Sequence, residues 1–321
     1  MKIDKRLVVA GKLAILLGIA GAIAWELNKT WGDLSRTHIA VDWRYGILGV
    51  FSFLLVYTSS GLVWRWLAWR MGDRSPTVPL LGAYGFSQIG KYGWKIMLLL
   101  MRIERAKRCG MTGTICTIST LVENAMYLVS AALVAAVTLL LYVHDQPWLV
   151  AGVGLTIVAM GCAFYPPWFY RLINGMLARA KRPPVPPEQQ LPLRTLLSAV
   201  VLFMPCWLFG GLALWSAARC LRPLPLMAGL SFPGAFAFSV VGGMVMALTP
   251  GGLGTREAVL TLFLGPLLTP PIAAIVALVQ RLFQIVSEIL LAGLGTLLTA
   301  RRYPGVPGPA TVTPAAERQT S

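Results

Sequence analysis

Histidine is almost absent from this chain: there are two in 321 residues, His38 and His144. A zinc or haem site would therefore have little to be built from. Cysteine is sparse too. The five, at 109, 116, 162, 206 and 220, form no CxxC pair, and an odd number cannot all pair internally, so buried free thiols are expected. Charge is scarce, at 12% of residues, where a soluble domain carries about a quarter. The sequence holds no Ser/His/Asp set, no P-loop, no GxGxxG fingerprint and no metal-ligand spacing. These shortages argue against a self-sufficient enzyme. We expect no catalytic residues, no metal and no cofactor.

What is abundant is apolar. Hydrophobic residues make up 56% of the chain and the mean hydropathy is +0.69. Apolar runs long enough to cross a hydrocarbon core of about 30 Å as helices recur along it. The fold class expected is all-α, a polytopic transmembrane helical bundle. The net charge of +16 would suggest nucleic acid in a soluble protein. Here the basic residues sit mostly in short loops between apolar runs, where orientation bias and anionic lipid explain them, and nucleic acid is not expected as a partner.

Residues 1–300 read as a single integral membrane domain. Candidate spans are roughly 7–25, 46–67, 112–142, 148–169, 194–218 and 271–299. The first follows a basic cluster, as in a signal peptide, but no small-residue cleavage site precedes a polar domain, so it reads as an uncleaved span. Two further apolar stretches are broken. One, about 79–101, contains Gly82, Gly85, Gly90 and Gly93 with Lys91 and Lys95; the other, about 226–268, is interrupted by Thr249-Pro250-Gly251-Gly252-Leu253-Gly254. Proline removes a donor and glycine relaxes the backbone, so both end helices. The expectation is six full spans plus two re-entrant pairs; an eight-span arrangement keeps the same orientation. Loop charge places both termini in the cytoplasm.

The order span, span, broken pair, span occurs twice, over 1–145 and 146–300, starting on opposite sides. Inverted halves with matching broken segments point to a transport site near the bilayer midplane. Two soluble segments remain. The proline-rich 181–192 and the tail 301–321 are too poor in apolar residues to bury a core, so both are expected to be flexible or disordered.

Three sets of residues carry candidate chemistry. In TPGGLGTREA, residues 249–258, Pro250, Gly251, Gly252 and Gly254 allow a tight turn. Thr255 then caps a new helix beside Arg256 and Glu257. Unpaired N–H groups at a helix start beside an arginine suit a phosphate or anionic headgroup. The plain alternative is a solvated loop. In SQIGKYGWK, residues 87–95, Lys91 and Lys95 would share a helical face with Tyr92 and Trp94 alongside; taken alone, an interfacial anchor with snorkelling lysines is favoured. The third set lies inside spans. Glu123 sits in ISTLVENAMYLV, and Arg281, Gln284 and Glu288 line one face of VALVQRLFQIVSEILL. Intramembrane charges cost a few kcal/mol each and are functional candidates by default. The structural alternative has Glu123 or Glu288 neutralising Arg256 or Arg281. Trp25, Trp31, Trp43, Trp64, Trp66 and Trp69 read as a membrane belt.

The GKY at 90–92, Glu123, PGGLGTREA at 250–258 and Arg281, in that order, resemble the lysylphosphatidylglycerol synthase transmembrane-region family, which includes the flippase domain of multiple-peptide-resistance proteins. The likeness covers roughly 10–300. Members usually follow GKY with a proline-glycine turn before the next lysine; here Tyr92-Gly93-Trp94-Lys95 has none, which leaves the role of Lys95 open. The aminoacyl-transferase domain of the full-length synthases is not expected in this chain. The resemblance implies a lipid-handling protein of the inner (plasma) membrane, a flippase of an anionic or isoprenoid-linked lipid. Lys91, Tyr92, Thr255, Arg256 and Arg281 would then bind the headgroup, and Glu123, Glu257 and Glu288 would balance charge or carry a coupling proton. Its partners would be membrane lipids. An alternative is an accessory subunit presenting lipid to a separate lipid-modifying enzyme; a third reading is a membrane-embedded transferase using Glu123 or Glu257 as base. The oligomeric state is not legible.

Overall fold

In the computed structural model the described residues are 42–92, 95–142, 165–179, 184–224, 226–245, 255–265, 268 and 270–300. Among them the structure is helical throughout, without strands. The expected spans at 7–25 and most of 148–169, the Pro250–Gly254 turn and the 301–321 tail lie outside the described residues.

Helix α1 (Trp43–Arg70) starts where Asp42 accepts a hydrogen bond from the Arg44 backbone N–H at 3.1 Å. It ends at Gly72, whose φ of 95° a side chain would oppose; there Asp73 N–H returns to Ala68 carbonyl at 3.0 Å. Asp73 then pairs with Arg65 at 3.1 Å and accepts from the Ser75 hydroxyl at 2.9 Å. Arg65 also donates to Ser75 carbonyl at 2.6 Å. This buried clasp fixes the turn into α2 (Thr77–Ser87).

The first broken stretch resolves into α2, a 3-10 turn over Gln88–Tyr92, and α3 (Lys95–Arg108). A Cβ on Gly90 would meet the Leu98 backbone at 2.7 Å, so only glycine lets the turn lie this close to α3. Helix α4 (Gly113–Tyr142) follows, then α5 (Pro166–Arg179), α6 (Leu193–Leu202) and α7 (Met204–Leu221). The expected span at 194–218 is α6 and α7 together. Pro205 lacks an N–H to continue the ladder, and the interruption falls at Phe203. The second broken stretch comprises a 3-10 turn over Leu226–Ser231, α8 (Phe232–Val245) and α9 (Thr255–Leu264), and α10 (Pro270–Ala300) closes the chain's described part.

Four segments among the described residues are long and apolar enough to cross a membrane: Trp43–Arg70, Gly113–Thr138, Pro187–Leu221 and Ile272–Leu298. The chain is a multi-pass membrane protein. At its centre α1 packs on α7, with α10 against α2 and α8 against α4 on either side. Close approach at these crossings uses small residues, as membrane helices favour. Gly210 and Gly211 face Phe236 and Pro233, and Gly295 faces the Gly82 carbonyl.

Two expectations need correcting here. Residues 184–192 of the proline-rich segment are not loose: Val185 and Leu191 are buried, and their N–H groups donate to Asn174 Oδ1 at 2.8 Å and Tyr170 Oη at 2.6 Å. Two apolar side chains and two anchored amides suffice to hold a short proline-rich strap on α5. Trp64 is no belt residue either. It is fully buried, 5.7 Å from the Tyr84 ring, whereas Trp43 and Trp69 are exposed as a belt requires.

Candidate functional site

The polar residues inside the bundle fall into two neighbouring clusters. The first gathers on α10, α1, the Gln88–Tyr92 turn and α9. Glu288, near the middle of the Ile272–Leu298 segment and 1% exposed in its side chain, is ion-paired with Lys91. The same carboxylate oxygen accepts from the Tyr57 hydroxyl and from Gln284 Nε2, the latter at 2.9 Å. Lys91 Nζ also donates to Tyr57 Oη at 2.8 Å and stands 5.0 Å from that ring. Gln284 Oε1 accepts from Arg281 at 3.1 Å, and the Arg281 guanidinium lies 5.6 Å from the Tyr92 ring. The helical spacing of Arg281, Gln284 and Glu288 puts all three on one buried face.

Arg256 joins this cluster from α9, which begins at Thr255 where the Pro-Gly break predicts a helix start, within the one-residue latitude of helix ends. Its stem lies under Gly243, where an added Cβ would meet Cγ at 2.5 Å, and its guanidinium is 5.4 Å from the Phe236 ring. Arg256 and Arg281 both lie in electrostatic range of Lys91. Among the described side chains the cluster thus holds three cations, Lys91, Arg256 and Arg281, and one carboxylate, Glu288. The Tyr92 hydroxyl and Glu288 Oε2 are both buried in the cluster.

The second cluster is closed. Arg102 of α3, 2% exposed, is ion-paired with Glu123 of α4. It also donates to Ser87 Oγ at 3.2 Å and Thr120 Oγ1 at 3.3 Å, and lies 4.2 Å from the Tyr84 ring. The Tyr84 hydroxyl completes the carboxylate at 2.8 Å. Tyr84, Ser87 and Arg102 come from the two arms of the broken stretch, so this cluster ties both arms to α4.

Several sequence expectations change accordingly. Glu123 neutralises Arg102, and Glu288 neutralises Lys91; neither pairs with Arg256 or Arg281 as the structural alternative had it. Arg102, which the sequence offers only as one of several basic residues near the first broken stretch, lies inside the bundle. Its register, about two turns before the basic end of α3, turns it inward. Lys91 is not a snorkelling anchor, because its ammonium is held by a buried carboxylate. Nor do Lys91 and Lys95 share one helix: the first lies in a 3-10 turn and the second opens α3. Side chains of Thr255, Glu257 and Lys95, and residues Pro250, Gly251, Gly252 and Gly254, lie outside what is described. Tyr57 was missed. A tyrosine in FSFLLVYTSSG carries no signal that separates it from ordinary core.

Among the described residues no group of three or more His, Cys, Asp or Glu is placed to hold a metal ion, and Cys109, Cys116, Cys206 and Cys220 are buried free thiols. No curated protein matches the chain. A family model described as the lysylphosphatidylglycerol synthase TM region matches residues 9–292. With a match over most of its length, the chain belongs to the lysylphosphatidylglycerol synthase transmembrane-region family.

Proposed function

We propose that this protein carries the anionic headgroup of a lipid, a phospholipid or an isoprenoid-linked phosphate, between the leaflets of the inner membrane, with both termini cytoplasmic and without chemical change to the lipid. The observation that carries the reading is the gathering of Lys91, Arg256 and Arg281 with Glu288, Tyr57 and Gln284 in one polar cluster inside an apolar bundle. Ionisable residues inside a membrane bundle are costly and mark substrate sites by default. A phosphate is suited to arginine forks and to a lysine point charge.

Glu288 then acts as the resident counter-ion. It holds Lys91 between lipids and yields it when a phosphate arrives; protonation of the carboxylate would favour the exchange. The turn that bears Lys91 and Tyr92 is irregular backbone, tolerated at depth only where protein or a polar cavity satisfies it. Inverted halves, 1–145 and 146–300, are part of this proposal. In support, α2 packs on α10 as α8 packs on α4, and α1 meets α7 at the middle. Those are the pairings that a two-fold axis in the membrane plane would exchange.

Native mass spectrometry of the gently purified protein tests the reading. Wild type is expected to retain an anionic or isoprenoid-phosphate lipid that both Lys91→Gln and Arg256→Ala lose. Identical bulk lipid in all three forms would contradict it and favour a partner enzyme's accessory subunit instead.

A further inference from the structure

Both ends of α1 carry an exposed tryptophan, Trp43 at one and Trp69 at the other. At about 1.5 Å per residue the two stand about 39 Å apart along the axis. A bilayer with its headgroup regions measures about 40–45 Å. Tryptophan favours the level where hydrocarbon meets headgroups, so the C-terminal end of α1 enters a headgroup layer. Arginines gather at that level. Arg70 and Arg74 are exposed at the end of α1. Arg70 also donates to Thr195 Oγ1 at 3.1 Å, which joins the end of α1 to the start of α6 and brings the exposed Arg194 to the same place.

These arginines are held but not neutralised. The Arg70 guanidinium lies 5.9 Å from the Trp66 ring and that of Arg74 lies 5.2 Å from the Trp69 ring; a ring face attracts a cation without cancelling its charge. Nearby acids are engaged elsewhere, Asp73 by Arg65 and Glu104 by Arg108. Among the described residues no carboxylate is ion-paired with Arg70, Arg74 or Arg194. Toward the middle of the bundle the same two helices turn apolar side chains outward, Leu62 on α1 and Leu197 and Val201 on α6. A basic rim over an exposed apolar wall matches a phospholipid, with its phosphate outermost and its chains inward.

We propose that the joined ends of α1 and α6 bind an anionic phospholipid of the leaflet they enter, its phosphate between Arg70 and Arg194 with Arg74 at the rim. The occupant's charge follows from arginines that no carboxylate pairs, and arginine forks suit a phosphate. That it is a lipid follows from the tryptophan level and the apolar wall; basic surfaces between membrane helices at the headgroup layer select anionic headgroups. A zwitterionic lipid brings its own cation and gains less. This site is separate from the polar cluster, since Arg70 stands about 20 Å along α1 from Tyr57. It does not depend on the transport reading.

The test is photo-crosslinking of the full chain in nanodiscs doped with phosphatidylglycerol that carries a diazirine near the top of one acyl chain. Phosphatidylcholine of the same build is the comparison, and labelled peptides are mapped by mass spectrometry. Phosphatidylglycerol is expected to label segments 62–74 and 193–201 about tenfold more than phosphatidylcholine, a ratio equal to about 1.4 kcal/mol. Arg70→Gln/Arg194→Gln removes that preference. Thr195→Val, which breaks the tie between the helices but leaves both charges, keeps it. So do Lys91→Gln in the polar cluster and Arg171→Gln, an exposed arginine on α5. Excess inorganic phosphate leaves the labelling unchanged. Equal labelling by the two lipids overturns the proposal and marks ordinary annular contact. Loss of the preference in Arg171→Gln overturns it in favour of a diffuse surface potential, and loss in Thr195→Val in favour of a structural tie. Loss in Lys91→Gln merges the site with the polar cluster, and displacement by inorganic phosphate makes it a site for soluble anions; both overturn the proposal. A protein that moves no lipid but keeps the expected labelling sinks the transport reading alone.

Discussion

Glu123→Gln isolates what the closed cluster does. The substitution keeps the side-chain shape and one carbonyl oxygen but removes the charge opposite Arg102, a side chain only 2% exposed. Breaking a buried pair by neutralising one partner costs about 3–5 kcal/mol, because the other charge stays buried and uncompensated. The amide oxygen can still accept from either Tyr84 or Arg102, which favours the lower end of that range. At roughly 2–4 °C per kcal/mol, the midpoint of thermal unfolding should fall by on the order of 10 °C. A thiol-reactive dye reads this directly, since Cys109, Cys116, Cys206 and Cys220 are buried and become reactive only as helices part. The double variant Arg102→Met/Glu123→Gln removes both charges and should recover most of the loss, since a buried pair exchanged for apolar packing is often neutral. If the single variant melts with wild type, or the double melts below the single, then the pair does not hold the arms of the broken stretch to α4 and the argument fails.

Two further outcomes follow from packing and from the open cluster. Gly49→Ala places a Cβ 2.2 Å from the Phe283 ring where α1 crosses α10, so stability should drop by about 1–3 kcal/mol; adding Phe283→Leu should restore the midpoint, and no rescue would place the cost elsewhere. Glu288→Gln keeps an acceptor for Tyr57 and Gln284 but frees Lys91 from its counter-ion. Anionic-lipid retention should then rise about tenfold in a native mass spectrometry titration, and unchanged retention would mean that Glu288 does not compete with the headgroup.

Much of the architecture is legible in the sequence because bilayer physics leaves few options. Long apolar runs must be helices, and α1, α4 and α10 lie where those runs lie. The helix start at Thr255 follows from Pro250 and the glycines. The common face of Arg281, Gln284 and Glu288 follows from helical spacing, which is local. Partners are another matter. Lys91 is 197 positions from Glu288, and Arg102 is 21 from Glu123 across a turn; nothing in local periodicity links either pair. Arg102 looked like one more basic residue in a run that includes Arg105, Lys107 and Arg108. Only its register on α3 turns it toward α4 while its neighbours remain outside. Tyr57 and Trp64 show the same limit, since one periodicity serves equally for core, belt and site.

The central claim is lipid movement that depends on Lys91 in the polar cluster. The direct measurement uses proteoliposomes containing fluorescent phosphatidylglycerol, with bleaching of the outer leaflet to count the molecules that cross. Wild type is expected to expose label from both leaflets, and Lys91→Gln, folded by the same thiol-dye criterion, to slow crossing at least about tenfold, which is about 1.4 kcal/mol of barrier. Crossing no faster than in protein-free liposomes, or equally fast in wild type and Lys91→Gln, would contradict the account.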